Sequence, residues 1–316
     1  MNPPPPFDPP FERMALIGLG LIGSSLGWAA RRYGLAHEVV GYARSEETRA
    51  RALELGFVDR VAASAGAVVE GADLVVMCVP VGANAVIAKE IGPALEAGAI
   101  LTDVGSVKAA VVRDIGPHVP AGVHFIPSHP IAGTEHSGPD SGFAELFINR
   151  WCVLTPPPGT DKDAARRLAD FWRACGMSVD QMPAEHHDLV LAITSHVPHL
   201  IAYNIVGTAA DLAEVTQSEV VKYAAGGFRD FTRIAASDPE MWRDVFLNNR
   251  EAVLEMLGRF GEDLTALQRA IRWGDGDALE ALFTRTREIR RGIIEAGQET
   301  DAPDFGRRDH DDGEVT

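Results

Sequence analysis

The sequence predicts an α/β fold, with a doubly wound parallel sheet followed by an all-α C-terminal part. Three observations predict it. Strand-length apolar runs alternate with helical patterns up to about residue 180. A Gly-x-Gly-x-x-Gly stands directly after the first run. Beyond about residue 183 no strand pattern occurs and long apolar helices take over.

Residues 1–12 are Pro-rich and are expected to be a disordered tail. They show no basic region followed by an apolar one, so no secretory signal is expected. The strand candidates are "RMALIG" 13–18, "EVVGYA" 38–43, "DLVVMCV" 73–79, "GAILTDV" 98–104, "GVHFIPS" 122–128 and "RWCVLT" 150–155. Each is nearly continuous in apolar residues, as a strand covered on both faces should be. The helix after the second candidate starts at Ser45, has Glu46 and Glu47 behind it, and ends at Gly56. That is an N-cap, two carboxylates at the positive helix end and a C-terminal glycine.

From 184 to 212 the chain reads as one long apolar helix that carries Pro198. A helix over 238–260 opens with Asp238, Pro239 and Glu240, and a last helix covers 275–297. These helices are too apolar to stand alone, so they are expected to pack on each other and on a second subunit. The domains are therefore expected at 13–182 and 183–298, and 299–316 as a disordered acidic tail.

The bulk numbers narrow the function. The chain has 316 residues, 46% hydrophobic, and a formal net charge of −16. A protein that lies on nucleic acid or an anionic membrane usually presents a basic face, so neither is expected as a partner. No apolar run reaches the roughly 18 residues of a membrane span. The three cysteines, Cys78, Cys152 and Cys175, are far apart without metal or disulfide spacing. That fits a cytoplasmic protein with no metal site.

"MALIGLGLIGSSLG", 14–27, places Gly18, Gly20 and Gly23 between the first strand and a helix that begins with Leu21 and Ile22. Such glycines allow a tight turn, approach to a pyrophosphate and close helix–strand packing, with the phosphates at the positive helix end. In this Rossmann-like setting the reading is a dinucleotide site; the alternative is a structural turn. Val79 and Pro80, after the third strand, fall where a nicotinamide ribose would lie. At the end of the second strand the acid that would hold a ribose 2′-hydroxyl is absent. Arg44 and Ser45 stand there instead. They tilt the cofactor NAD(P)+ toward NADP+, although a missing acid does not forbid NAD+.

Ligands of such sheets bind beyond the carboxyl ends of the strands. "TDVGSVKAAV" puts Ser106 and Lys108 at a helix N-terminus there. "PSHPIAGTEHSG" puts His129 at the end of the next strand, as a general base or a structural histidine. His136, at a loop tip, reads as solvent-exposed or substrate-facing. In the helical part Ser195 and His199 share a helix face, from which His196 points away. Arg229 and Arg233 read as surface charges or carboxylate anchors, with Trp242 nearby in sequence.

"IGLGLIGSSL", "DVGSVK", "HPIAGTEHSG", "TSHVPHL" and "GGFRDFTRIAASDPEMW", in this order, resemble the prephenate/arogenate (cyclohexadienyl) dehydrogenase family of tyrosine biosynthesis over about residues 13–298. The resemblance implies oxidative decarboxylation of prephenate to 4-hydroxyphenylpyruvate, of arogenate to tyrosine, or of both. It places the catalytic base on His129, with Ser106 hydrogen-bonded to it. It further places the paired Ser and His on Ser195 and His199, the carboxylate anchor on Arg233 and the gating loop acid on Glu135. An aromatic near the ligand falls on Trp242. Lys108 and His199 are expected to help meet the two substrate carboxylates. The resemblance also implies a homodimer through the helical part. Only residues 1–12 precede the first strand and no βαββαβ pattern follows residue 298, so neither a fused chorismate mutase nor a regulatory ACT domain is expected.

Two alternatives remain at this level. One is a β-hydroxyacid dehydrogenase, whose relatives use a lysine on the long helix; none lies on 184–212. The other is a non-catalytic NAD(P)-binding sensor.

Overall fold

The computed structural model describes residues 10–134, 136–223 and 226–295. They form two compact units, one up to Met256 and one from Leu257 on.

The first unit is built on six parallel strands in the order β3-β2-β1-β4-β5-β6. These are β1 (Phe11–Ile17), β2 (Ala36–Tyr42), β3 (Arg60–Val61), β4 (Leu74–Met77), β5 (Ile100–Asp103) and β6 (His124–Phe125). Alternate residues of the central strands enter different cores. Met14, Leu16, Leu74, Val76 and Ile100 lie in one; Ala15, Ile17, Val75, Met77 and Leu101 lie in the other. This double burial is why the strands read as continuous apolar runs.

Helices α1 (Leu21–Tyr33), α2 (Glu46–Leu55), α3 (Ala65–Val69), α4 (Asn84–Ile91) and α5 (Lys108–Ile115) connect the strands. The caps of α2 are those read in sequence: the Ser45 hydroxyl accepts from Thr48 N, and Gly56 turns the chain at φ 83°.

Two strand candidates behave differently from the expectation. Residues 122–128 form no single strand: Pro127, which has no N–H for a ladder, follows Ile126, and the chain leaves the sheet after β6. It continues as β7 (Ser128–Pro130), which pairs antiparallel with β8 (Trp151–Leu154). β8 in turn pairs parallel with β9 (Ser178–Gln181), beyond α6 (Lys162–Ala174), so 150–155 belongs to a second, three-stranded sheet. β9, short and exposed, carries no apolar run and was not expected.

The long helix expected from 184 is α7 (Ala184–Leu191), a π-helical turn at Ala192–His196, and α8 (Val197–Tyr223). Pro198 has no N–H and its ring crowds the preceding turn, which the widened turn accommodates. By length and composition Ala184–Asp211 could cross a membrane. That differs from the sequence reading, because small and polar residues interrupt its apolar run. α9 (Gly226–Thr232) follows, then a short turn at Arg233–Ala236. The helix expected over 238–260 is broken at Asn249 (φ −108°, ψ 33°) into α10 (Pro239–Asn248) and α11 (Arg250–Trp273). In the second unit, α11 continues to a turn at Gly274, and α12 (Gly276–Glu295) follows.

Candidate active site

The glycine-rich turn has the geometry of a dinucleotide cradle. Gly18 ends β1 at φ 98°, and a Cβ there would lie 2.3 Å from the Cys78 carbonyl oxygen. A Cβ on Gly23 would lie 2.0 Å from the Gly18 carbonyl oxygen. Both glycines press α1 against the β1 and β4 ends. Gly20 differs: a Cβ there would meet no heavy atom within 4 Å. Open space thus lies at the α1 N-terminus, beside half-buried Leu21 and Ile22. An anion fits there because the first N–H groups of a helix point outward and carry its positive end. Val79 follows β4, and its Cγ1 would lie 3.3 Å from a Cβ on Gly18; Pro80 is exposed beside it.

After β2, Arg44 is exposed and Ser45 is engaged as the α2 cap. Arg49 reaches back to this corner, with Nη1 donating to the Ala43 carbonyl at 2.6 Å and its guanidinium 5.9 Å from the Tyr42 ring.

His129 sits in β7 and is only 7% exposed. Its Nδ1 is 2.8 Å from Nε2 of His187, and Nδ1 of His187 is 2.8 Å from Oδ1 of Asp188. Both partners come from α7. The carboxylate accepts, so Nδ1 of neutral His187 carries hydrogen and its Nε2 accepts. Nδ1 of His129 must then be the donor, which leaves Nε2 of His129 with the free lone pair. Burial pushes the His129 pKa well below the ordinary histidine value, and His187, Lys108 and His196 add to the effect. Burial also lowers His187, while Asp188 pulls it back up.

Ser106 lies in the β5–α5 loop, half-buried. It makes no hydrogen bond with His129, whose Nδ1 is taken by His187. Lys108 also departs from the expectation. Its side chain is completely enclosed, with Nζ 2.6 Å from Asp103 Oδ2 and 2.7 Å from the Ser128 carbonyl oxygen. An ammonium out of water needs a carboxylate and further acceptors, and β5 and β7 supply them. Lys108 is thus corrected from substrate anchor to a brace under the residue that precedes His129. The helix N-terminus read as an anion site already has its anion: the Asp188 oxygens accept from Lys108 N at 2.7 Å and Ala109 N at 2.9 Å.

The helical side brings together three expected residues. The His199 ring stacks on Trp242 with centroids 3.7 Å apart and planes at 25°. Nδ1 of His199 donates to the Ser195 carbonyl at 2.8 Å, which leaves Nε2 available. Burial lowers the His199 pKa, and the charge of nearby Arg233 lowers it further. Trp242 packs with Val81, Val107, Ala110 and Val245, so α10 meets the loops after β4 and β5. His196, expected to point elsewhere, also meets Trp242, edge-on with ring centroids 6.0 Å apart. It is buried, with Nδ1 accepting from Asn249 Nδ2 at 3.0 Å, and burial pushes its pKa down to about 4.

Glu135 lies outside the described residues. His136 is exposed, and its backbone N–H donates to Thr134 Oγ1 at 3.2 Å.

Sequence reasoning missed His187, Asp188 and Asn249. The signal for the first two was "EHHDL", where an acid and paired histidines open an apolar helix. Asn249 breaks its helix and donates to both the Asp188 carbonyl and His196.

The chain matches two family models: prephenate dehydrogenase, nucleotide-binding domain, over residues 26–181, and prephenate dehydrogenase, dimerization domain, over residues 183–285. It is 43% identical over 283 residues to the cyclohexadienyl dehydrogenase of Zymomonas mobilis subsp. mobilis, covering 90% of this chain and 96% of that one. It is 32% identical over 283 residues to the prephenate dehydrogenase of Bacillus subtilis, covering 89% and 76% respectively. Among solved structures, that of prephenate dehydrogenase from A. aeolicus in complex with hydroxyphenyl propionate and NAD+ aligns at a TM-score of 0.81 and 34% identity. It covers 90% of this chain and 98% of that one.

Proposed function

Because the chain belongs to the prephenate dehydrogenase family, we propose that the site around His129 carries out the family reaction with the following division of labour. The enzyme is an NAD(P)-dependent oxidoreductase that oxidatively decarboxylates prephenate, arogenate or both, in tyrosine biosynthesis. Membership of the family sets aside the β-hydroxyacid dehydrogenase and the sensor.

One observation carries the assignment of the base: Nδ1 of His129 is committed to His187, so its lone pair is on Nε2. Nε2 takes the proton of the ring hydroxyl. The hydride that must leave the carbon bearing that hydroxyl would go to a bound nicotinamide. The carbonyl that forms is conjugated to the carbon bearing the ring carboxylate. The bond to that carboxylate breaks, CO2 leaves, and its electron pair completes the aromatic ring; the ring oxygen, left as a phenolate, takes back the proton that His129 removed.

Arg233 and Nε2 of His199 hold substrate carboxylate, with Trp242 fixing the His199 ring. Ser195 orients His199 through its carbonyl. Ser106 lines the opening near His129, and Glu135 closes it. Gly18, Gly20, Leu21, Ile22 and Gly23 hold the pyrophosphate, Val79 and Pro80 flank the nicotinamide ribose, and Arg44 and Ser45 favour the 2′-phosphate of NADP+. The part that binds nucleotide is 13–182, and the part that completes the substrate site and dimerises is 183–298. Exposed Ile271, Trp273, Phe283 and Ile289 support a homodimer through the helices, as does the match to a dimerization domain. The same reading puts the enzyme in the cytoplasm.

The test is absorbance at 340 nm, with prephenate or arogenate against NAD+ or NADP+. The pattern of rates assigns substrate and cofactor together. Silence in all four combinations would refute the reading.

A further inference from the structure

We propose that the proton His129 removes from substrate passes on to His187 and is held there by Asp188 until the product oxygen takes it back, so that His187 and Asp188 are positioning residues that act through the base. The inference rests on the reading of His129 as base and deepens it.

The three groups are a continuous buried line. His129 Nδ1 to His187 Nε2 is 2.8 Å, and His187 Nδ1 to Asp188 Oδ1 is 2.8 Å. His187 is fully buried and Asp188 is 5% exposed, so water does not stand in for either. The line cannot easily swing. Asp188 is pinned by the backbone N–H groups of Lys108 and Ala109, and Asn249 Nδ2 donates to its carbonyl at 2.8 Å.

The surrounding charges decide where a proton is best placed. His129 faces His187 from α7, Lys108 from α5 and His196 from the π turn, all of which resist a positive charge on it. His187 faces Lys108 as well, but Asp188 and Asp103 lie on its side and favour the charge. A cation formed on His129 would be a buried charge beside an ammonium. The same cation on His187 is in contact with a carboxylate, where a low dielectric strengthens the attraction.

As the substrate O–H bond breaks, the N–H bond at His129 Nε2 forms. The Nδ1–H bond of His129 then breaks, and the N–H bond at His187 Nε2 forms. His129 ends neutral, as its other tautomer. His187 ends as an imidazolium paired with Asp188, which stays unprotonated. When CO2 leaves, the phenolate oxygen takes the proton back from His129 Nε2 while the N–H bond at His187 Nε2 breaks and that at His129 Nδ1 re-forms, which restores both histidines; the only redox partner is the nicotinamide of the proposed reaction.

The experiment is a pH profile of kcat and KM for the full-length chain and its variants, with nucleotide affinity measured alongside. In His187→Gln the amide oxygen can still accept from His129 Nδ1 but cannot hold a proton. We expect kcat to fall about 10²-fold, with KM little changed. The acidic limb of kcat should move to lower pH, because the site of higher proton affinity is gone. Asp188→Asn should move the limb the same way. His186→Gln, at the exposed neighbouring histidine, should match the wild type. A His187→Gln enzyme with kcat within threefold of wild type, or with a lowered kcat but an unmoved limb, would overturn the proposal. If one variant loses nucleotide affinity through misfolding, the other decides. No turnover by the wild type would instead overturn the reading of His129 itself.

Discussion

The Lys108 ammonium lies 2.6 Å from Oδ2 of Asp103, and both side chains are sealed from solvent at the C-terminal end of β5. Burial pushes the Asp103 carboxyl up and the Lys108 ammonium down, and their mutual attraction opposes both shifts without cancelling them. The same ammonium holds the Ser128 carbonyl, one residue before His129. Removing one partner leaves a buried charge alone. Lys108→Met should therefore destabilise the fold by about 3–5 kcal/mol. The double variant Lys108→Met, Asp103→Asn should recover part of that loss in urea unfolding. Equal stability of the single variant and the wild type would contradict the brace.

His129→Asn tests the base directly. Turnover should drop by about 10²–10⁴-fold while nucleotide affinity is nearly unchanged. A variant that keeps a tenth of the wild-type kcat would remove His129 from the role.

The glycines separate a cofactor cradle from a structural turn. Gly23→Ala puts a methyl group 2.0 Å from the Gly18 carbonyl, so loss of stability is expected. Gly20→Ala meets nothing in the folded chain, so its melting temperature should be near that of the wild type while its NAD(P)+ affinity falls. Unaltered affinity would count against pyrophosphate binding at this turn.

Stability should fall on the acid side. The pKa values of His129, His187, His196 and His199 are all lowered by burial in the folded state. The unfolded chain then binds more protons, so stability is complete above the ordinary histidine pKa near 6.5 and is lost as pH falls below it. For His196, lowered to about 4, the loss between pH 6.5 and 4 is on the order of 3 kcal/mol. His196→Asn should flatten the pH dependence of urea midpoints over that range. An unchanged slope would show that His196 is not held neutral.

Arg44→Ala should raise the KM for NADP+ several-fold and leave that for NAD+ as it is. Equal effects on both cofactors would assign Arg44 to the surface.

The family resemblance singled out Ser195, His199, Arg233 and Trp242 as site residues. The sequence by itself determined the parallel sheet, the glycine turn and the α2 caps. It could do so because double burial, helix periodicity and capping each leave a local pattern. Only the tertiary structure decided what surrounds His129. His129 and His187 are 58 residues apart, and Asp188 reaches the α5 N-terminus 80 residues away. No local pattern records such a pairing. Lys108 shows the same limit: a lysine at a helix start reads as an anion site until the fold shows Asp103 beside it. Buried polar groups take partners from whatever the chain brings near, and that choice is made by packing across the whole unit.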